Sequence, residues 1–118
     1  MTLFTVPSFT IVTVAGGGCQ VQIPTYNQTL TPDQTRQLAN AVAFSEVTSP
    51  TAGPNGNVAG IIINYNADSV IVASPANYLE ARVMVGVTKP DTTIYQTFLT
   101  LDQARQMSNA IASYTVVG

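Results

Sequence analysis

Leu30-Thr31-Pro32-Asp33-Gln34-Thr35-Arg36-Gln37-Leu38-Ala39-Asn40-Ala41-Val42-Ala43 returns as Leu99-Thr100-Leu101-Asp102-Gln103-Ala104-Arg105-Gln106-Met107-Ser108-Asn109-Ala110-Ile111-Ala112. The offset is 69 residues throughout, without a gap, and nine of the fourteen positions are identical. Self-similarity at a fixed offset marks an internal duplication. Each copy carries the grammar of a helix start. Thr31 and Thr100 are N-caps, and Gln34 and Gln103 stand at capping-box spacing behind them. Pro32 suits the first helical position, and Asp33 and Asp102 fall where the helix dipole favours negative charge. Thr35, Leu38, Ala39 and Val42 share one face at spacings of three and four, and Ala104, Met107, Ser108 and Ile111 repeat it. The first helix is expected to fade near 45–47.

Upstream of the first copy the chain reads as extended. Pro7-Ser8 splits Thr2–Val6 from Phe9–Ala15, whose Phe9-Thr10-Ile11-Val12-Thr13-Val14 is β-branched and aromatic. Gly16-Gly17-Gly18 is a turn. Cys19-Gln20-Val21-Gln22-Ile23 alternates, so Cys19, Val21 and Ile23 are expected inward on a strand reaching Tyr26. Residues 48–57, with two prolines and two glycines, form a loop. The apolar run Ile61-Ile62-Ile63 predicts a central strand buried on both faces. Asn64–Ser69 supplies turn residues, and Val70-Ile71-Val72 starts a strand that Ser74-Pro75-Ala76 breaks. Tyr78–Val87 alternates as a strand with Leu79, Ala81, Val83 and Val85 on one face; the alternative is that Ser74-Pro75 caps a short helix over 76–82. Lys89-Pro90-Asp91 is a turn, Thr92–Phe98 a strand, and 114–117 closes the chain against the body.

These elements predict one α+β domain over 1–118, built from duplicated β-β-β-α units at about 2–45 and 70–113. The loop 48–57 and an extra strand 58–65 stand between them. The simplest arrangement is one antiparallel sheet with both helices on one face, related by a pseudo-twofold axis. An alternative is that two chains share sheets or helix faces in a dimer.

Composition narrows the function. The chain has 118 residues, of which 46% are hydrophobic and only 8% charged, with net charge −2. Typical domains carry roughly 25% charged residues. Uncharged polar surface is inexpensive to desolvate, so self-association or burial in an assembly is expected. There is no histidine, which removes Ser-His-Asp and Cys-His catalysis. Cys19 is the only cysteine, and reads as an inward strand residue rather than a nucleophile. Scattered carboxylates offer no metal site, and Gly16-Gly17-Gly18 lacks the Lys-Ser/Thr of a phosphate loop. Asp33 and Asp102 could form an acid pair only if the helix starts met; helix-start chemistry explains both. Four cations give no nucleic-acid footprint, and Tyr26, Tyr65, Tyr78 and Tyr95 read as core-rim residues rather than base-stacking platforms. No stretch has the about 20 apolar residues of a membrane span. The N-terminus lacks the basic region of a secretory signal, so a cytoplasmic or virion location is expected, and Asn27-Gln28-Thr29, which fits the N-glycosylation pattern, is read as a chance match.

The residues kept identical on the solvent side of both helices, Arg36, Gln37 and Asn40 with Arg105, Gln106 and Asn109, form the candidate interaction surface. The competing explanation, slightly favoured because the strands have diverged while the helix has changed only conservatively, is recent duplication. Leu30–Ala39 resembles the capped Leu-Thr-Pro-(Asp/Glu)-(Gln/Glu)-Ala-Arg helices of small actinobacterial proteins and of their phages. The Thr/Asn/Gln-rich, charge-poor composition is similar to small phage-encoded proteins, including virion components. The missing catalytic and metal residues, the scarce charge and the duplicated fold predict a non-enzymatic interaction or structural protein that needs no cofactor and binds itself or a protein partner. The resemblance implies that it is phage-encoded, as a virion component or host-interaction protein. The competing expectation is a small-ligand module with a pocket between the repeats near Tyr26 and Tyr95. An unusual enzyme would require Asp33, Asp102 and Cys19 in one cleft.

Overall fold

The computed structural model describes residues 1–48, 61–66, 69–77 and 81–117. Four strands, β1 (Thr2–Val6), β2 (Phe9–Thr13), β3 (Cys19–Ile23) and β4 (Tyr26–Leu30), precede α1 (Pro32–Thr48). Four more, β5 (Ile61–Asn66), β6 (Ser69–Asn77), β7 (Ala81–Thr88) and β8 (Ile94–Thr100), precede α2 (Leu101–Val117). Each set is an antiparallel meander, in the orders β1-β2-β3-β4 and β5-β6-β7-β8. The class is α+β.

Both helices start as the capping residues dictate. Gln34 N donates to Thr31 Oγ1 at 3.2 Å while Thr31 N donates to Gln34 Oε1 at 3.0 Å. The same reciprocal pair joins Thr100 and Gln103, at 3.1 and 2.9 Å. Thr35, Leu38, Ala39 and Val42 are buried, as are Ala104, Met107, Ser108 and Ile111. The helices pack against each other; α1 lies mainly on β5, β6 and β7, and α2 on β1, β7 and β8. One apolar core results, with Phe9, Ile11, Val21 and Leu30 from the first sheet and Ile71, Val83, Val85 and Leu99 from the second. Cys19, Val21 and Ile23 point into it as their alternation requires.

Four expectations need correction. Each unit has four strands rather than three, because the strand expected over 19–26 turns back at Pro24-Thr25. Proline presets the first central position of that turn, and Thr25 takes φ 67° at the second. The eight strands form two four-stranded sheets rather than one. The strand expected as an insert is β5, the first strand of the second meander, where it pairs with β6. The described chain also runs as strand through Ser74-Pro75-Ala76, with Pro75 opposite Val83. Proline is admitted where its missing N–H forfeits no ladder bond, and the described part of β5 ends opposite Ala73. The helical alternative for 76–82 is excluded at 76–77 and 81–82, which are strand. Residues 49–60, 67–68 and 78–80 lie outside the described residues. So do the side chains of 61–66, and with them the expectations for the loop, for Ile61-Ile62-Ile63 as a doubly buried run, and for Tyr65, Tyr78 and Leu79.

Register shows how the units correspond. Leu30 matches Leu99 at an offset of 69. Leu30 pairs with Cys19 and Leu99 with Val83, so the offset falls to 64 on the third strands. Ile11 pairs with Val21 and Ala73 with Val85, which sets 62 on the second strands. Phe4 pairs with Ile11 and Ile61 with Ala73, giving 57 on the first. Every hairpin of the second unit is longer than its counterpart.

Gly18 has no room for a side chain: a Cβ there would lie 2.0 Å from the Leu30 carbonyl oxygen. The β2–β3 connection is thereby pressed against the end of β4, just before α1.

Candidate functional site

All six residues of the helix stripe are exposed. The two arginines are engaged within the chain, and differently. Arg36 pairs with Asp33 on its own helix. Arg105 reaches across to α1, donating from Nε at 3.0 Å and Nη2 at 2.6 Å to Glu46 Oε1. Its own-helix partner Asp102 is at 3.8 Å. Glu46 is only 12% exposed, so the carboxylate sits in a partly shielded crevice at the C-terminal turn of α1. The residue 69 positions after Glu46 is Thr115, which cannot mirror the bridge. Gln37, Asn40, Gln106 and Asn109 remain as exposed amides. The structure therefore uses Arg105 to join the helices and gives the stripe little else to distinguish it from a solvated face.

The outer faces of the sheets differ more. On the first sheet that face holds Thr5, Thr10, Gln20, Gln22, Asn27 and Thr29, with Val12. Its polar groups bond one another: Thr5 to Thr10 at 2.9 Å, Gln22 Nε2 to Gln20 Oε1 at 2.9 Å, and Gln20 Nε2 to Thr29 Oγ1 at 3.3 Å. On the second sheet the register stacks Val70, Thr88 and Ile94 in one row. The next rows are Val72, Gly86 and Gln96, then Ser74, Met84 and Phe98. Ile94 is 64% and Phe98 57% exposed, both on β8, while Val70, Val72 and Met84 are half-buried. Apolar surface thus replaces the polar ladder, and among the described residues it is most open along the β8 edge. The signal in the sequence was the pairing of Ile94 with Phe98 four residues on, outward positions of a strand whose inward ones are Tyr95, Thr97 and Leu99.

The other candidates are dispersed. Asp33 and Asp102 are exposed in the first turns of their helices, and Cys19 is buried in the core. Burial pushes the Cys19 thiol up from its ordinary value, and the Thr35 hydroxyl offsets part of that. Among the described residues no three His, Cys, Asp or Glu side chains are grouped to hold a metal ion. No helix there is long and apolar enough to cross a membrane. Tyr26 and Tyr95 are half-buried and pack against the core. Beside Tyr26 on β4, Gln28 is 2% exposed, and neither its Nε2 nor its Oε1 has a hydrogen-bond partner.

The chain matches no protein-family model, no curated protein and no solved structure.

Proposed function

We propose that this protein is a non-enzymatic, self-associating structural or interaction module, of the kind phages encode as virion components or host-interaction proteins. The observation that carries it is the contrast between two equivalent surfaces. A sheet face meant for water takes the form of the first sheet, with hydroxyls and amides satisfied along the strands. The second sheet instead sets Ile94 and Phe98 beside Val70, Val72 and Met84, an apolar area of the sort that marks association. Charge does not oppose the approach of a second copy: β8 carries none, and the chain has net charge −2.

Sedimentation and light scattering across a concentration series test this. The wild-type chain is expected to associate as concentration rises. Phe98→Asp, which sets a charge on the apolar face, is expected to hold it monomeric, whereas Asn27→Asp on the polar face leaves association intact. A wild-type chain that stays monomeric at high concentration overturns the reading.

A second reading, a small-ligand module near Tyr26, is favoured by the unpartnered amide of Gln28. Gln28→Leu separates the two. A gain in stability marks the amide as a burdened core position; a loss supports a polar role for it.

A further inference from the structure

The geometry points to a specific mode of association: β8 pairs antiparallel with β8 of a second copy about a twofold axis at Gln96, joining two four-stranded sheets into one of eight strands. This rests on the self-association reading above and adds the partner strand, its direction and its register.

Three observations converge on it. The first is the free edge. β8 is the terminal strand of its sheet and pairs only with β7. Seven residues long, it carries neither the charge nor the proline by which natural edges are blunted. The second is where exposure lies. Among the described residues, the two most open apolar side chains of the outer face belong to β8 itself, and Val70, Val72 and Met84 on β6 and β7 are already half-covered. A partner stacked flat on the face would find its open apolar residues on one margin; a partner strand laid along that margin meets them directly.

The third observation fixes register. Ile94 and Phe98 are four residues apart on the same face. In an antiparallel self-pair, an axis at Gln96 sets Ile94 opposite the partner's Phe98, and Phe98 opposite the partner's Ile94. An axis at Thr97 would instead face Ile94 with Thr100, and Phe98 with Gln96. Only the first matches apolar with apolar, as a cross-strand aromatic and β-branched pair. Gln96 then meets its own copy, and the primary amide can both donate and accept there. Gly86, opposite Gln96 on β7, has its side-chain position filled by its neighbours: a Cβ there would come 3.2 Å from Met84 Sδ and 3.7 Å from Gln96 Cγ, so both side chains lean over the glycine. The contact is isologous, so it closes at two copies on this edge.

Cross-linking tests it. Opposed residues of an antiparallel pair are about 4.5–5.5 Å apart between Cα atoms, within the reach of a disulfide. Under mild oxidation Gln96→Cys is expected to form a covalent dimer. Ile94→Cys and Phe98→Cys are each expected to remain unlinked alone and to link when mixed. The native Cys19 is buried and stays out of the reaction. In the unmodified chain, hydrogen exchange at alternate amides of 94–98 is expected to slow as concentration rises. Association without that protection, or linking of Ile94→Cys or Phe98→Cys to itself, overturns the β8 pairing while self-association stands. Absence of any association overturns both.

Discussion

Thr35 Oγ1 accepts the backbone N–H of Cys19 at 3.1 Å, across sixteen residues of chain. The hydroxyl proton has two acceptors in reach, the Thr31 carbonyl at 2.8 Å and Cys19 Sγ at 3.5 Å. Thr35 thus ties the start of β3 to the first turn of α1. The need for it comes from register: Cys19 pairs with Leu30, the last residue of β4, so that ladder stops there. In the second unit the corresponding ladder continues past Val83 and Leu99, with Arg82 opposite Thr100. The residue at the Thr35 position there is Ala104.

Thr35→Val keeps the shape and removes the acceptor. The Cys19 amide is then buried without a partner, at a cost of about 1–3 kcal/mol. Urea denaturation is expected to show that loss, and Ala104→Ser, at the position where the second unit needs no acceptor, is expected to bring no comparable gain.

Burial of Cys19 fixes its chemistry. With the thiol raised above its ordinary value by desolvation, native protein is expected to react with a thiol reagent far more slowly than urea-unfolded protein. The folded state favours the neutral thiol. Its contribution is therefore fully present below the unfolded pKa of about 8.5 and is lost as pH rises through the folded value. Denaturant midpoints measured between neutral and alkaline pH are expected to fall in the wild type, and to fall less in Cys19→Val.

The two arginines of the repeat are expected to separate on mutation. Arg105→Gln removes two N–H bonds to one oxygen of a partly shielded carboxylate and is expected to cost about 0.5–1 kcal/mol. Arg36→Gln removes an exposed pair within one helix, worth a few tenths of a kcal/mol, about 0.3. Thermal unfolding of both variants in low and high salt reads the difference.

Thr92 closes the β7–β8 turn at φ 71°, with its N–H donating to the Lys89 carbonyl at 2.9 Å. The left-handed region costs an L-residue about 1–2 kcal/mol, against about 0.5–1 kcal/mol for the freedom glycine gains when unfolded. Thr92→Gly is expected to raise the melting temperature slightly. Gly18→Ala, which drives a methyl into the Leu30 carbonyl, is expected to lower it by far more.

The parts of the fold governed by short-range chemistry were legible. The capping boxes fixed both helix starts, and spacings of three and four identified the buried face of each. β4 was hidden because Asn27, Gln28 and Thr29 offer no alternation and its inward position is a glutamine. The correspondence of the units was hidden because longer strands and one longer turn in the second unit shift the offset from 69 to 57, which an ungapped comparison cannot follow. The helix stripe was named because it is repeated, yet repetition does not separate function from ancestry. The apolar margin at Ile94 and Phe98 escaped because it is not repeated: position 29, which matches Phe98 at the offset of 69, is a threonine.

The crossing of α1 onto the second sheet has a consequence for the halves of the chain. A cut between α1 and β5 would give two fragments, each with its meander stripped of the neighbour that completes its interior. Neither would fold alone, but mixed together they would complement each other and rebuild the whole.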